Sequence, residues 1–428
     1  MSCFSLRKSV IPGCAVLFAA SMAAQPASYK LTCGAASKHA KTLSATRFSE
    51  QGYGFDLEPS PQIQDGVCQS NKAFFVSVKE PDGNYRVTVE LGGPQEATTT
   101  VKAEARRLML EDVPSGPGAK VKRSFVVNVR TPAVNATERV HLKPREIGNL
   151  DWDDKLTLEF TGPHPALRSI AIEPAHVPTI YIAGDSTVVD QDKEPWAAWG
   201  QVLPSFFNSK IAVANDAESG ETIRSFQGER RWDKLMSTIR SGDWLMIQFA
   251  HNDQKPGRGF VPIPQYKALL RKYIGLARAK GAHPVLVTSM NRRSFDANGK
   301  IRMTLAGYPD AMREVANAEH VPLIDLNAMS KTLFEAMGPE GTLKAFVHYP
   351  ANTFPDQPRP LADNTHFNSY GALELAKCVV QGIRNDKLPL AKYLRQGIPA
   401  FDPAHPDPPT VWSDAYDPFV SAQKPYER

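Results

Sequence analysis

The stretch Thr179-Ile180-Tyr181-Ile182-Ala183-Gly184-Asp185-Ser186-Thr187 decides the fold. Its first five residues are a short apolar run that predicts a buried strand, and Gly184-Asp185 follows where such a strand would end. A serine is therefore predicted at the turn from a strand to a helix. The stretch comes directly after Pro178, where the character of the sequence changes abruptly.

Downstream of Ser186, short apolar runs alternate with amphipathic helices. One predicted helix places Tyr266, Leu270 and Tyr273 on a single apolar face, at a spacing of three or four residues. This alternation is typical of a parallel sheet that helices cover on both sides. We therefore predict an α/β domain over residues 179–395, followed by a proline-rich tail over residues 396–428. The apolar runs lie at residues 211–214, 244–249, 284–289 and 322–326.

Upstream of Pro178, the sequence predicts only strands. β-branched and aromatic runs at residues 73–79 and 85–91 flank the turn Pro81-Asp82-Gly83-Asn84. Loops rich in proline and glycine separate the later runs, a spacing that suggests a β-sandwich of roughly 120 residues. We therefore predict an all-β domain over residues 30–173. The later runs lie at residues 122–130, 156–160 and 169–172.

The first 24 residues have the layout of a signal peptide. Arg7 and Lys8 precede an apolar run over residues 10–20, and Ser21-Met22-Ala23-Ala24 offers small residues for cleavage. The alternative is a membrane anchor, but the run is short for a membrane span and contains Pro12. We therefore expect a secreted or periplasmic protein, with no stable membrane anchor.

The charge of the chain is mildly basic, with a formal net charge of +5 at pH 7. There is no dense Lys/Arg block of the kind that binds nucleic acid, so we expect no nucleic-acid partner. A mildly basic surface is compatible with an acidic polymer.

Three cysteines remain once the predicted signal peptide takes Cys3 and Cys14 with it. Cys33 and Cys68 could pair in an oxidising compartment, and the alternative is two unpaired, buried thiols. Cys378 lies in a predicted helix, and we interpret it as a buried apolar residue rather than a nucleophile.

Four groups of polar residues follow predicted strands, and together they suit acyl transfer. In an open parallel sheet, reactive groups collect beyond the carboxyl ends of the strands. We predict that Ser186 is the nucleophile, that His366 is the base that takes its proton, and that Asp363 orients the histidine. The four groups are Gly184 to Thr187, Asn215 to Gly220, Ala250 to Asp253 and Asp363 to His366.

The same groups supply donors for an oxyanion hole. The backbone N–H groups of Ser186 and Gly220 and the side-chain amide of Asn252 are the predicted donors. This chemistry needs neither a cofactor nor a metal ion. His251 by itself is more typical of a pocket wall or core than of a base.

Other interpretations of these residues are open. A second Asp-x-x-His, at Asp402 and His405, lies between prolines with no strand before it. A metallophosphoesterase would also contain Gly-Asp and His-Asn-Asp clusters, but it needs an Asp-x-His metal pair, which this sequence lacks. A third alternative is a carbohydrate-binding protein whose hydrolase domain is inactive.

At this point the sequence resembles a known family. Residues 179–390 resemble the SGNH (GDSL-like) hydrolase superfamily, and within it the rhamnogalacturonan acetylesterases. The resemblance rests on Gly-Asp-Ser-Thr at 184–187, Trp199-Gly200-Gln201, Asn215 to Gly220, Arg224-Ser225-Phe226, Phe249 to Asp253, and Asp363 to His366 with Gly371.

The resemblance implies a three-layer α/β/α flavodoxin-like hydrolase domain, preceded here by an all-β sandwich that resembles galactose-binding-like domains. It also implies a serine esterase that removes O-acetyl groups from a pectic polysaccharide, with Ser186, Asp363 and His366 as the triad and Gly220 and Asn252 in the oxyanion hole. Xylan or another acetylated glycan would require the same triad.

The sequence departs from the family pattern beside the predicted oxyanion hole. Ala250 replaces the usual glycine, and Glu218-Ser219 stands where small residues often precede Gly220. Neither change removes a predicted catalytic group. Since the all-β part contains none of those groups, we expect a chain that begins near Ala175 to keep activity on a small ester, provided that it folds.

Overall fold

The computed structural model describes residues 27–34, 38–44, 47–48, 51–57, 59–409 and 418–425. The predicted signal peptide, residues 1–24, lies outside these ranges. Among the described residues, no helix combines the length and apolar character that a membrane crossing requires.

The N-terminal part contains two sheets that are antiparallel except where β1 pairs with β2. The first has the order β10-β7-β12-β1-β2, with β5 on β12 and β4 on β5, and the second has the order β3-β6-β11-β8-β9. The strands are β1 Tyr29–Cys33, β2 Lys41–Leu43, β3 Tyr53–Asp56, β4 Gln62–Gln64, β5 Val67–Gln69, β6 Phe74–Lys79, β7 Gly83–Leu91, β8 Ala97–Ala103, β9 Arg107–Ser115, β10 Val121–Val129, β11 Lys155–Thr161 and β12 Ala166–Pro174.

One apolar core lies between these two sheets. Alternate residues of β7 are buried, including Val87 and Val89, and they pack with Val76 of β6 and Leu158 of β11 from the other sheet. The turn after β6 therefore carries the chain from one sheet to the other. Cys33 and Cys68 are bonded within this core, with their Cα atoms 5.5 Å apart, which confirms the pairing considered above.

A long connection between β10 and β11, residues 130–154, leaves the all-β part and reaches the α/β part. We call it the β10–β11 loop. It contains two short 3-10 helices, Pro144–Glu146 and Leu150–Trp152. Glu146 is buried, and it accepts hydrogen bonds from Arg231 of the α/β part at 3.0 and 2.5 Å.

The α/β part is built on a parallel sheet of order β14-β13-β15-β16-β17. Numbered within this sheet, the order is 2-1-3-4-5, which is the flavodoxin-like order. A separate antiparallel pair, β18 and β19, precedes the last helix. The elements are β13 Thr179–Gly184, α1 Trp199–Val202, β14 Ala212–Asn215, α2 Ile223–Gly228, α3 Arg231–Thr238, β15 Trp244–Gln248, α4 Ile263–Ala279, β16 His283–Val287, α5 Tyr308–Glu319, β17 Leu323–Ile324, α6 Leu326–Thr342, β18 Phe346–Tyr349, β19 Leu361–Phe367 and α7 Ser369–Asn385.

Helices cover both faces of this sheet because successive residues of β13 point to opposite sides. Ile180 and Ile182 pack in one apolar cluster with α1, α6 and α7. Tyr181 and Ala183 pack in another with α2, α3, α4 and α5. The three-layer α/β/α hydrolase preceded by an all-β part is therefore confirmed as the fold class. The domain boundaries stay predictions.

One part of the sequence prediction is wrong. The fourth polar group, Asp363 to His366, does not follow a strand of the parallel sheet. It lies within β19, which pairs with β18 outside that sheet. The strand contains four consecutive polar residues, Asp363 to His366, so it does not suit a parallel strand that is buried on both faces.

Buried ion pairs join the two parts. At the turn from β8 to β9, Arg106 pairs with Glu194, and it donates to the carbonyl oxygens of Gln191 and Trp196 at 3.0 and 3.1 Å. The next residue, Arg107, donates to Asp190 at 2.8 Å and to Asp151 at 3.1 Å. Buried carboxylates of the α/β part are therefore paired with arginines of the all-β part.

Candidate active site

Ser186 lies in a tight turn directly after β13, and its side chain is buried. Backbone N–H groups of Val188 and Val189 donate to the Asp185 carbonyl oxygen at 3.0 and 3.1 Å. The backbone N–H and the hydroxyl of Thr187 donate to the Asp185 carboxylate at 3.0 and 2.7 Å. These bonds close the turn and fix the direction of the serine side chain.

His366 lies between Ser186 and Asp363. Its Nε2 atom is 2.9 Å from Ser186 Oγ, and its Nδ1 atom is 2.9 Å from Asp363 Oδ2. The ring of Trp196 meets the imidazole edge to face, with centroids 5.9 Å apart. The three residues of the predicted triad are therefore brought together, although they come from two different sheets.

Asp363 is ionised in this arrangement. Burial raises its pKa, but the hydrogen bonds and charge of His366, together with the charge of Lys424, outweigh burial and hold the pKa well below its ordinary value. The other carboxylate oxygen accepts from the backbone N–H groups of Thr365 and His366 at 2.7 and 2.9 Å. Both oxygens are thus engaged, which fixes the plane of the carboxylate.

The start of α7 holds His366 in place. Asn368 caps this helix by accepting from the Gly371 N–H at 3.1 Å. A Cβ atom on Gly371 would lie 2.1 Å from the Ala345 carbonyl oxygen, so only glycine permits this close approach. This explains why a glycine follows the predicted base at that spacing.

The predicted oxyanion-hole donors lie on the loops after β13, β14 and β15. Neither the Ser186 N–H nor the Gly220 N–H has an acceptor among the described residues. Gly220 has a φ angle of +78°, which other residues rarely adopt. The Asn252 side-chain nitrogen donates to the Glu221 carbonyl oxygen at 3.0 Å, and Lys255 donates to the Asn252 side-chain oxygen at 3.0 Å. These two bonds orient the amide nitrogen.

The neighbours of Asn252 are buried and uncharged. Burial lowers the pKa of His251 well below its ordinary value, so its imidazole is neutral and suits a pocket wall. Burial also raises the pKa of Asp253 to about 8. One Asp253 oxygen accepts from the Ile223 N–H at 2.9 Å, which ties the loop after β15 to α2.

The second Asp-x-x-His pair, Asp402 and His405, has a different environment from the pair in this site. His405 Nδ1 lies 2.8 Å from Asp402 Oδ2, so the local pairing resembles that of Asp363 and His366. However, the His405 side chain is 83% exposed. Neither residue lies in a helix or a strand.

Several residues near the site were not predicted from the sequence. The all-β part contributes Arg106, Lys143 and Arg145, and residues 418–425 contribute Lys424. A cleft of about 300 Å³ opens beside Trp196, with Arg145, Gln191, Ser219 and Lys424 in its wall. The departure at Glu218-Ser219 was the one available signal, because Glu218 pairs with Arg145.

Comparison with known proteins agrees with this architecture. Residues 182–372 match the GDSL-like lipase/acylhydrolase family. A rhamnogalacturonan acetylesterase of Bacillus subtilis, RhgT, is 46% identical over 217 residues, which are 50% of this chain and 93% of that protein. An uncharacterised esterase of the same organism, YxiM, is 26% identical over 78% of this chain and 77% of its own length.

The crystal structure of YxiM aligns with 85% of this chain and 99% of its own, at 24% identity and a TM-score of 0.47. The similarity to RhgT covers nearly all of that relative. The family match spans the loops that carry Ser186, Gly220 and Asn252 and also includes His366. The chain therefore belongs to the GDSL-like lipase/acylhydrolase family and is a carboxylic ester hydrolase.

Proposed function

We propose that this protein is an exported acetylesterase that removes O-acetyl groups from a polysaccharide through an acyl-enzyme on Ser186. The observation that carries the proposal is the chain of two 2.9 Å contacts from Ser186 Oγ through His366 to Asp363. A serine hydroxyl becomes an effective nucleophile when a base in contact with it takes its proton.

The residues then act as follows. Ser186 Oγ attacks the acetyl carbon while its proton passes to His366 Nε2, and Asp363 stabilises the imidazolium. The tetrahedral oxyanion accepts from the N–H groups of Ser186 and Gly220 and from Asn252. Its collapse breaks the bond between the acetyl carbon and the sugar oxygen, which takes the proton from His366 and leaves as a hydroxyl group. Water then attacks the acetyl carbon of acetyl-Ser186 while its proton passes to His366. The Ser186 oxygen takes that proton back, and acetate leaves.

Acetylated rhamnogalacturonan is the proposed substrate. The relatives that support it are named as rhamnogalacturonan acetylesterases, in Bacillus subtilis at 46% identity and in Emericella nidulans at 26% identity. A mildly basic chain is compatible with a polymer that carries uronic acids. Export agrees with the signal-like residues 1–24 and with the disulfide between Cys33 and Cys68, since such bonds persist in oxidising compartments.

Replacement of the nucleophile tests the mechanism. Ser186→Ala should abolish hydrolysis of an aryl acetate and leave the thermal melting temperature near that of the unmodified protein. Ser237→Ala is a matched control, because Ser237 lies on α3 and its hydroxyl bonds only within that helix, to the Lys234 carbonyl oxygen. Substantial turnover by a folded Ser186→Ala protein would contradict the mechanism.

Acetate release from purified polymers tests the substrate. We expect a higher kcat/KM on acetylated rhamnogalacturonan than on acetylated xylan. Equal or faster release from xylan would overturn the substrate assignment and leave the esterase mechanism standing. No release from any polymer or aryl acetate would favour the alternative of a carbohydrate-binding protein with an inactive hydrolase domain.

A further inference from the structure

Two cations of the β10–β11 loop bind the peptide group that joins Ser219 to Gly220. Lys143 Nζ lies 2.7 Å from the Ser219 carbonyl oxygen, and Arg145 Nη2 lies 3.1 Å from the same atom. The opposite end of this peptide group is the Gly220 N–H, which has no acceptor among the described residues. The two cations therefore contact the back of a proposed oxyanion-hole donor.

Carboxylates of the loop after β14, which contains Ser219 and Gly220, hold both cations in place. Lys143 pairs with Glu221, which is fully buried, and Arg145 pairs with Glu218. These two glutamates flank the Ser219–Gly220 pair in sequence. Glu218 is one of the residues that departs from the family pattern, and its contact with Arg145 gives that departure a structural reason.

The backbone that carries the two cations is itself anchored. Glu146 accepts from Arg231 and from the indole N–H of Trp152, the latter at 3.0 Å. It also accepts from the Lys143 backbone N–H at 2.8 Å, which closes the short helix around the lysine. The position of Lys143 relative to Ser219 is thus fixed from two sides.

The electrostatic consequence follows from the polarity of a peptide group. A cation at the carbonyl oxygen draws electron density toward that oxygen and leaves the N–H at the other end a stronger donor. Hydrogen bonds to charged donors are about twice as strong as neutral ones, and linked hydrogen bonds strengthen one another. The same contacts prevent the peptide plane from rotating, so the donor is oriented before the substrate arrives.

We propose that Lys143 and Arg145 are positioning residues for the oxyanion hole, and that they orient and polarise the Ser219–Gly220 peptide from within the all-β part. This inference rests on the proposed function, because it takes the Gly220 N–H as a donor to the tetrahedral intermediate. It makes the β10–β11 loop part of the machinery for the reaction, although the loop lies outside the residues that match the family.

Lys143→Met in the full chain, assayed on an aryl acetate, is the first test. We expect kcat to fall about 10-fold with KM changed less than about 2-fold, a smaller loss than the 10²–10³ for deletion of a donor. Phenylboronic acid forms a tetrahedral adduct with a reactive serine, so its inhibition constant should rise by the same factor. Lys143→Arg keeps a cation at the carbonyl oxygen and should restore most of the activity.

A matched control separates orientation of the oxyanion hole from general stability. Lys234 is buried, and like Lys143 it joins the two parts, by contacts with Asp82 and with the Ala133 carbonyl oxygen at 2.7 Å. Lys234→Met should lower the melting temperature and leave kcat unchanged. Arg145→Gln offers a second variant with less risk to folding, since the Arg145 side chain is 37% exposed. We expect it to reduce kcat about 3-fold, a smaller effect than that of Lys143→Met, because partly exposed ion pairs contribute little.

Two results would overturn the inference: unchanged kcat in both Lys143→Met and Arg145→Gln, or an equal fall in Lys234→Met. Failure of the proposed function looks different. In that case Ser186→Ala would retain activity and phenylboronic acid would not inhibit the unmodified protein. If Ser186→Ala is inactive and the boronic acid inhibits, unchanged kcat in the Lys143 and Arg145 variants rejects the positioning role alone.

Discussion

Lys424 Nζ lies 3.2 Å from Asp363 Oδ2, the same carboxylate oxygen that lies 2.9 Å from His366 Nδ1. The segment 418–425 reaches this position along Glu194, whose backbone bonds with Phe419 and Ser421 at 2.8 Å each. A cation from the far end of the chain therefore contacts the acid that orients the predicted base.

Removal of this cation should move the pH dependence of the reaction. In Lys424→Met, the triad loses one neighbouring positive charge, the charge of Lys424 that helps to lower the pKa of Asp363, so the triad takes up a proton more readily. The acid limb of the profile of kcat/KM against pH should move to higher pH by roughly 0.2–0.7 unit, the range of exposed ion pairs. Lys424 is half exposed, so about 1 M salt should remove most of this difference.

The control for this prediction is Lys193→Met. Lys193 and Lys424 both lie in the wall of the cleft beside Trp196. Lys193 is also half exposed, but its contact is with Asp192. Its profile should match that of the unmodified protein. If Lys424→Met moves the acid limb to lower pH, the contact with Asp363 does not act as described.

The two Asp-x-x-His pairs should differ sharply in their contribution to activity. His366→Ala should lower kcat by roughly 10⁴-fold or more, as is typical of a base that acts as a unit with its nucleophile. His405→Ala should leave kcat within about 2-fold, because substitutions at exposed positions have little effect. Rates on an aryl acetate decide the matter, and loss of activity in His405→Ala would reject the assignment of the base.

Asp253 should make the stability of the protein depend on pH. Its pKa is about 8 in the folded protein because of burial, whereas an unfolded aspartate ionises near pH 3.9. Below pH 4 both states are protonated, so the residue contributes nothing to the pH dependence. Between about pH 4 and 8 only the unfolded state ionises, so stability falls by up to about 1.4 kcal/mol per unit, and the fall ends above pH 8.

Asp253→Asn keeps an acceptor for the Ile223 N–H but cannot ionise. Its free energy of unfolding should therefore rise relative to that of the unmodified protein as pH increases from 5 to 8. Urea unfolding of both proteins at several pH values measures the difference. A difference that is constant across this range would mean that the native carboxyl group ionises as readily as the unfolded one.

The bond between Cys33 and Cys68 should supply a substantial part of the stability. It joins residues 35 apart in sequence, and the chain-entropy relation gives about 3–4 kcal/mol for a loop of that size. The double variant Cys33→Ala, Cys68→Ala should lose about this much free energy of unfolding. Thiol counting on the unfolded, unreduced chain from residue 25 onward should find one thiol, from Cys378; three thiols would contradict the bond.

The sequence predicted the parallel sheet because its strands are apolar throughout and its helices show regular spacing. It did not predict β8 and β9, because Lys102 of β8 is buried and looks like a surface residue in the sequence. Its partner is the buried Glu159, at 3.6 Å and on another strand. A buried charge is recognisable only with its partner, and the partner's position is a product of the fold. Lys143 and Arg145 are only partly buried, but their contacts with the Ser219 carbonyl oxygen also depend on the fold, so the sequence did not show their role.

Activity of a chain that begins near Ala175 depends on whether that chain folds. That chain would keep three buried carboxylates and lose the cation that pairs with each. The pairs are Asp190 with Arg107, Glu194 with Arg106, and Glu221 with Lys143. Buried charges without partners are strongly destabilising, at roughly 3–5 kcal/mol for one pair. We now expect the shortened chain to fail to fold, and a cooperative thermal transition with normal aryl-acetate turnover would contradict this.

Arg107 is fully buried, with a carboxylate of the all-β part on one side and a carboxylate of the α/β part on the other. A gene fusion that exchanged the N-terminal region for an unrelated region would have to bring its own cations to the same depth. Recombination between related enzymes should therefore succeed when Arg107 and its two carboxylates come from the same parent. Substitutions at Arg107 or at either of its two carboxylates should therefore be tolerated only when the others change with them.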